Sequence, residues 1–217
     1  MKKSGYYPIF LNLQGKKCVV IGGGEIALRK VNTLLGYGAS VEIVSPSFCP
    51  DLALIAKKGN IKSHTKNYSS EDLTDALIAI AATDDANTNE QVSIDAKKHG
   101  VLINVVDKPQ HSDFIVPSSL TRGDIVIAVS TSGKSPALAR KIRTELENQL
   151  GDEYTKLVDI VSKARDQLRV EGIVVTSEVW QQALNINSLI RLIRQNKNKE
   201  AETTILNKLR RLGQKKT

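Results

Sequence analysis

The sequence has few cysteines and no long apolar segment, and both absences limit what this protein can be. Cys18 and Cys49 are its only cysteines. Cys18 falls in a predicted buried strand, so neither a structural disulfide nor a four-ligand metal site is expected. The pair Lys2-Lys3 is not followed by the apolar segment of a secretory signal. No segment approaches the roughly 18 apolar residues that span a bilayer. We therefore expect a soluble, cytoplasmic protein with no metal cofactor and no membrane partner.

Basic residues are concentrated at the carboxyl end of a chain whose net charge is +8. From Asn187 onward, nine Lys or Arg residues stand against only Glu200 and Glu202. This segment lacks the aromatic residues that stack on single-stranded nucleic acid. A solvated basic helix, with no nucleic-acid partner, is the expectation.

A glycine-rich turn follows the first predicted core strand. It fits the pattern G-x-G-x-x-A through Gly22, Gly24 and Ala27, and a helical pattern follows it. The first glycine permits a tight turn, the second lets the backbone approach a pyrophosphate, and the small third residue lets helix and strand pack closely. The helix N-terminus favours phosphates. This position predicts a dinucleotide site, to which Glu25 and Ile26 also belong.

Residues after other strands complete the predicted cofactor site. They are Ser45, Pro46 and Ser47 after the second strand, Thr83 after the fourth, and Asn104 in the fifth. An acidic residue is expected about 20 residues after the glycines to hold the adenosine ribose, but Ser45 stands there. No arginine stands there to bind a 2′-phosphate, so NAD is favoured over NADP. The alternative is that Ser45-Pro46 is only a turn.

Strands that alternate with helices over residues 1–112 predict an α/β fold, a Rossmann-like doubly wound parallel sheet. Its fifth strand delivers Asp107 to the edge where open α/β folds bind ligands. Asp107 is our candidate acid/base residue. His111 follows four residues later with its role open, whereas His64 and His99 are expected at the surface.

One helix of the sheet has recognisable ends. It is predicted from about Asn87 to His99, with Asn87 and Glu90 spaced as in a capping box and Gly100 closing it.

Residues 113–150 are predicted to form a small β segment followed by a capped helix. Asp113–Leu120 and Asp124–Val129 are expected to be strands joined by residues 121–123, and Ser135-Pro136 opens the helix. Residues 151–217 are predicted to be all-helical with a basic tail, broken near Gly172 and Asn196.

Polar residues before this capped helix could bind an anion. They are Ser130, Thr131, Lys134 and Ser135. Hydroxyl groups, an ammonium and a helix N-terminus together favour carboxylates or phosphates. An ordinary well-capped helix is the competing interpretation.

Long ordered motifs make the chain resemble the precorrin-2 dehydrogenase family, including the dehydrogenase/ferrochelatase modules of siroheme synthases. The resemblance is close over about the first 150 residues. It rests on residues 7–13 (YPIFLNL), 20–30 (VIGGGEIALRK), 104–107 (NVVD), 114–118 (FIVPS) and 127–140 (IAVSTSGKSPALAR).

This resemblance implies NAD-dependent dehydrogenation of precorrin-2 to sirohydrochlorin and, in bifunctional members, insertion of Fe²⁺ to give siroheme. The family's essential aspartate maps onto Asp107, in a site expected to be partly buried. The carboxylate-rich substrate would be held by the Ser130–Ser135 segment, with Arg122, Lys134 and Arg140 as candidate partners. Family members are homodimers, and many carry a cysteine where this chain has His111. No methyltransferase domain fits within 217 residues.

A nucleotide-sensing regulator is the alternative function: a Rossmann domain with a basic tail that binds a partner. Asp107 would then have only a structural role.

Overall fold

The computed structural model describes residues 5–213. The pair Lys2-Lys3 and the last four residues of the predicted basic tail lie outside this part. Two compact units make up the chain, one ending at Val116 and the other beginning at Pro117. The division into residues 1–112, 113–150 and 151–217 stays a prediction. Within residues 5–213, no helix combines the length and the apolar character needed to cross a membrane.

The first unit is built on a five-stranded sheet in the order β3-β2-β1-β4-β5, with every neighbouring pair parallel. This confirms the predicted Rossmann-like sheet. Its elements are β1 (Lys17–Ile21), α1 (Glu25–Gly36), β2 (Ser40–Ser45), α2 (Pro50–Lys57), β3 (Lys62–Thr65), β4 (Ile78–Ala81), α3 (Ala86–His99) and β5 (Leu102–Val105).

Alternate residues of the strands pack on opposite faces of the sheet. Cys18 and Val20 of β1 pack with α1 and α2, whereas Val19 and Ile21 pack with α3. Both faces are apolar because helices cover both, as in parallel sheets generally. Burial raises the pKa of the Cys18 thiol to about 11, so this thiol stays protonated at neutral pH.

The start of α3 differs from the prediction. Asp85, not Asn87, is the N-cap: its carboxylate accepts hydrogen bonds from the backbone N–H of Asn87 (3.1 Å) and of Thr88 (3.2 Å). The predicted box of Asn87 and Glu90 was wrong because an aspartate two residues earlier can accept from two N–H groups of the first turn. Gly100 ends the helix at φ 68°, as predicted.

The segment after β5 was predicted as a strand from Asp113, but the strand begins only at Ser118. Ser112 and Asp113 instead run back along β5. The N–H of Val105 donates to the Ser112 hydroxyl (2.9 Å), and Asp113 exchanges hydrogen bonds with the backbone of Ile103. These contacts satisfy backbone groups at the edge of the sheet, which would otherwise be open to pairing.

The second unit joins an antiparallel strand pair to a helical bundle. Its elements are β6 (Ser118–Arg122), β7 (Ile125–Val129), α4 (Pro136–Gln149), α5 (Glu153–Val170), α6 (Ser177–Ala183), α7 (Ile186–Arg194) and α8 (Asn198–Gly213). Breaks near Gly172 and Asn196 are confirmed. A further break lies at Asn185, whose side chain caps α7 by accepting from the Ser188 N–H (3.1 Å). The basic α8 is not simply a solvated helix, because Ile205 and Leu209 on its apolar side are fully buried.

Candidate functional site

A cleft of about 1030 Å³ lies at the carboxyl edge of the sheet. The glycine turn and the loops after β2, β3 and β4 line it. Eight of the ten predicted cofactor-binding residues line this cleft: Gly22, Gly24, Glu25, Ile26, Ser45, Pro46, Ser47 and Thr83. The structure therefore brings together residues from three separate stretches of sequence.

Gly22 has the backbone conformation that the motif requires of its first glycine. Its φ is +129°, and a Cβ placed on it would lie 2.3 Å from the carbonyl oxygen of Ala82. Any side chain here would therefore collide with the start of the loop that follows β4.

Gly23 is a second tight position, which the motif leaves unspecified. A Cβ on it would lie 1.8 Å from the carbonyl oxygen of Ser47, and its own carbonyl accepts from the N–H of Cys49 (2.7 Å). The glycine turn is thus packed directly against the loop after β2. Only tertiary contact creates this requirement, so no sequence pattern could have predicted it.

The N-terminus of α1 opens onto the same cleft. Gly24 is the N-cap, no side chain from the described residues caps the helix, and a Cβ at Gly24 would meet nothing within 4 Å. Backbone N–H groups of the first turn therefore remain available to an anion, and the helix dipole favours one there. This geometry suits a pyrophosphate.

The loop after β4 forms another part of the cleft wall and is fixed by internal hydrogen bonds. The Thr83 hydroxyl donates to Oδ1 of Asn89 (2.9 Å), and Nδ2 of Asn89 donates to the Thr83 carbonyl (2.8 Å). Sequence reasoning missed several further lining residues. They are Phe48, Asn67, Tyr68, Asp84, Asp85, Asn87, Thr88 and Gln91.

Tyr68 is fixed from behind by a buried carboxylate. Its hydroxyl donates to Oδ2 of Asp95 (3.3 Å), and Gln91 and Lys98 also donate to Asp95. Burial, and then the Asp95 charge, raise the pKa of Tyr68 well above its ordinary value. Tyr68 therefore presents a neutral phenol ring at the cleft wall.

Two predicted cofactor residues do not line the cleft. Ala27 is fully buried and packs in the core beneath α1, as the third position of the motif requires. Asn104 is buried, and its Nδ2 donates to the Phe114 carbonyl (3.0 Å), so it anchors the segment after β5. A direct role for Asn104 in cofactor binding stays a prediction without structural support.

Asp107 lies just beyond β5 in the left-handed region, at φ 58°. We expected Asp107 to be partly buried, but it is exposed. It does not line the cleft, but it follows the strand next to β4 at the same edge of the sheet. The pKa of Lys30 is lowered by burial and then by Arg29, and the Asp107 carboxylate opposes both effects.

The histidines have ordinary surroundings. Nε2 of His64 lies 3.2 Å from a Glu42 carboxylate oxygen, and Nε2 of His99 lies 3.0 Å from the Ser70 hydroxyl. His111 ends a short 3₁₀ turn, where its carbonyl accepts from the Ser93 hydroxyl (2.9 Å). In the part of the chain that the structure describes, no three His, Cys, Asp or Glu side chains are grouped to hold a metal ion.

The hydroxyls of the predicted substrate segment, in the second unit, are used locally. The Thr131 hydroxyl donates to the Ser135 carbonyl and accepts from the Ser135 N–H, both at 3.0 Å. Ser135 caps α4 as predicted, accepting from the Leu138 N–H (3.2 Å), and the Ser130 hydroxyl accepts from the Ser132 N–H (3.0 Å). The segment thus forms a well-capped helix start, and its role in binding substrate stays a prediction.

The candidate cations of the second unit differ in availability. Arg122 is engaged inside the unit, because its Nε donates to the Leu150 carbonyl (3.0 Å) and its Nη2 reaches Glu147. Lys134 and Arg140 are exposed, and neither side chain has an ion pair within residues 5–213. These two residues are the ones free to meet a carboxylate ligand.

Comparisons with known proteins cover both units. A family model described as "Putative NAD(P)-binding" matches residues 9–118, and one described as "Sirohaem biosynthesis protein central" matches residues 122–149. A siroheme synthase from Nitrosococcus oceani is 39% identical over 181 residues, which are 82% of this chain and 39% of the relative. A siroheme synthase from Chromobacterium violaceum is 40% identical over 164 residues, 76% of this chain and 35% of the relative. The chain thus spans well under half the length of these curated relatives.

The fold also matches a solved structure. SirC, precorrin-2 dehydrogenase, superposes with a TM-score of 0.67 at 24% identity, covering 95% of this chain and 100% of that one. Both units of the chain therefore have counterparts in one known fold.

Proposed function

Since the chain belongs to the NAD(P)-binding family whose model matches residues 9–118, and is related to siroheme synthases, we propose that it is an NAD-dependent precorrin-2 dehydrogenase. The reaction converts precorrin-2 to sirohydrochlorin in siroheme biosynthesis. The observation that carries the proposal is that the cofactor site and Asp107 lie at the same edge of the sheet. The glycine turn and the uncapped N-terminus of α1 lie at the carboxyl ends of the strands. Asp107 follows β5 at that edge.

The cofactor site supports binding of NAD through the backbone. The first turn of α1 would hold the pyrophosphate, with Gly22 and Gly23 keeping the approach clear. When bound, NAD supplies the hydride acceptor of the reaction. Asp107 would take the proton that leaves the macrocycle together with the hydride, which completes the removal of two hydrogens.

The loop after β2 supports NAD over NADP. Ser45 is buried and carries no charge that could recognise a 2′-phosphate. Lys66 follows β3 nearby, but its ammonium is paired with Asp72 at 2.7 Å. A phosphate on the ribose would thus find no free cation at these positions.

The test is formation of NADH by the purified protein with precorrin-2 and NAD, followed by absorbance. NADH and sirohydrochlorin should appear in equal amounts, and NADP should support a much slower reaction. A protein that binds NAD but forms no NADH would exclude the dehydrogenase and favour the nucleotide-sensing regulator.

The substrate, assembly and location belong to the same proposal. Lys134 and Arg140 would bind carboxylates of precorrin-2, so replacing both with Gln should raise KM for precorrin-2 and leave KM for NAD unchanged.

Leu138 and Ile142 are exposed on one face of α4, which supports a homodimer, and light scattering would measure its mass. We place the reaction in the cytoplasm, where NAD is available to it, which cell fractionation would test.

Fe²⁺ insertion into sirohydrochlorin is a second proposed activity. Siroheme synthases are the relatives that favour it, and Fe²⁺ would enter as a substrate. Siroheme absorbance after mixing sirohydrochlorin, Fe²⁺ and protein, compared with the spontaneous rate, would test it. A rate equal to the spontaneous one would limit the protein to dehydrogenation.

A further inference from the structure

Asp107 lies in a short loop that folds back on itself after β5. This loop, residues 105–112, begins with the last residue of β5 and ends at Ser112. The N–H of Lys108 donates to the Val105 carbonyl (3.2 Å), which makes a tight turn around Asp107. Asp107 is exposed, so the backbone of the loop, rather than packing, directs its carboxylate.

The Ser112 side chain closes this loop on both sides of Asp107. Its hydroxyl accepts from the Val105 N–H (2.9 Å) and donates to the Lys108 carbonyl (3.0 Å), with the Val105 carbonyl a more distant acceptor at 3.3 Å. Val105 comes before Asp107 in the chain and Lys108 directly after it. One hydroxyl therefore fixes the two backbone groups between which Asp107 is held.

The end of the loop is anchored to the body of the first unit. The fully buried Ser93 of α3 donates its hydroxyl hydrogen to the His111 carbonyl (2.9 Å). Beyond the loop, Asp113 exchanges hydrogen bonds with the backbone of Ile103 in β5. Ser112 thus lies between two anchored residues, and its own position is well determined.

The backbone of Asp107 indicates that the loop is held in an otherwise unfavourable conformation. Its φ of 58° is disfavoured for residues with a side chain, although Asp tolerates it better than most. Such a conformation persists where the surrounding structure enforces it, and it is concentrated at functional sites. The two hydrogen bonds of Ser112 provide that enforcement.

We infer that Ser112 is a positioning residue for Asp107: its hydroxyl ties Val105 to Lys108 and so holds the Asp107 carboxylate at the carboxyl edge of the sheet. This inference rests on the proposed dehydrogenation, in which Asp107 takes a proton from the macrocycle. A proton acceptor must lie within hydrogen-bond reach of the proton it takes, so a loosened loop would slow the chemistry and leave NAD binding unchanged. The competing explanation is that Ser112 only satisfies the Val105 N–H at the edge of the sheet, which would affect stability alone.

The test compares three single variants in the NADH assay. Ser112→Ala removes both hydrogen bonds, Ser112→Thr keeps the hydroxyl, and the matched control Ser70→Ala removes a hydroxyl that lies 3.0 Å from Nε2 of His99 at the end of α3. Threonine suits this position because Ser112 is extended, with φ −114° and ψ 138°.

We expect kcat to fall about 10–100-fold in Ser112→Ala, as for a misplaced catalytic group. KM for NAD should stay unchanged in this variant. Ser112→Thr should recover most of kcat, and Ser70→Ala should behave as the wild type.

A double variant separates positioning from a general structural effect. In an Asp107→Asn background, Ser112→Ala should lower the residual kcat no further, because the carboxylate that the loop positions is gone. Thermal unfolding shows whether each variant is folded. If Ser112→Ala is not, Ser93→Ala releases the same loop from α3 and replaces it in both experiments, with the same expected loss of kcat.

Four results would overturn the inference. They are a wild-type kcat in the loop variant that folds, a loss in Ser112→Thr as large as in Ser112→Ala, an equal loss in Ser70→Ala, or a further loss in the double variant. A wild-type protein that forms no NADH would remove the proposed function and this inference with it. An active wild type with an equally active Ser112→Ala would remove the inference alone.

Discussion

Replacing Asp107 separates its proposed chemistry from its backbone conformation. The residue has φ 58°, which Asn tolerates about as well as Asp and which other residues adopt at a cost of about 1–2 kcal/mol. Asp107→Asn should therefore leave the free energy of unfolding within about 0.5 kcal/mol of the wild type, since the side chain is exposed. Loss of a positioned proton acceptor should lower kcat by about 10²–10⁴-fold, equivalent to about 2.7–5.5 kcal/mol in the activation barrier.

Asp107→Ala is the matched control for this prediction. It should lose the same activity and also about 1 kcal/mol of stability, because alanine has neither the carboxylate nor the tolerance of positive φ. Both variants should bind NAD as the wild type does, since Asp107 does not line the cleft. The assays are NADH formation, urea denaturation and NAD titration. A kcat for Asp107→Asn within threefold of the wild type would refute the assignment of Asp107 as the acid/base residue.

Three further predictions concern the cofactor cleft, the start of α3 and the helical bundle. Gly23→Ala should weaken NAD binding and lower the unfolding temperature, because the new Cβ would lie 1.8 Å from the Ser47 carbonyl oxygen. Unchanged NAD affinity in a titration would contradict the packing of the glycine turn against the loop after β2. Hydrogen bonds from the Thr88 hydroxyl and from two backbone N–H groups lower the pKa of Asp85 below its unfolded-state pKa of about 3.8. The stability that the Asp85 carboxylate contributes is therefore present above the unfolded-state pKa. It is lost as the pH falls through the lower folded-state pKa. Asp85→Ala should therefore destabilise the protein at pH 7 and by progressively less in acid, in urea titrations at several pH values; a difference from the wild type independent of pH would contradict this. Leu209→Ala should lower the free energy of unfolding by about 2–5 kcal/mol, because Leu209 is fully buried. The control Lys208→Ala should change the free energy of unfolding by less than about 0.5 kcal/mol. Equal effects of the two substitutions would show that α8 is not part of the core.

The parallel sheet and the glycine turn were predictable because both depend on local patterns. Strands that alternate with helices predicted the parallel sheet, and G-x-G-x-x-A located the start of α1. The long ordered motifs predicted a relationship to siroheme synthases, and the chain is 39% identical to one of them over 181 residues and matches an NAD(P)-binding family model over residues 9–118. These signals need only neighbours in sequence.

Predictions failed where a polar residue had two local choices of partner. Asp85 and Asn87 can both cap a helix, and the choice depends on where the loop from β4 arrives. Asp113 lies in a stretch that suits a strand, yet it pairs with the exposed edge of β5 because that edge is nearby.

The sequence alone determined the glycine motif, the carboxylate after the fifth strand and the family resemblance. Each of these is a property of residues that are adjacent along the chain. The tertiary structure decided which distant residues meet: Gly23 must lack a side chain beneath Ser47, and Tyr68 forms part of the cleft wall. The physical reason is that each of these depends on loops packed against one another at the edge of the sheet. Such packing is specified by the arrangement of the strands and helices rather than by any local pattern of residues.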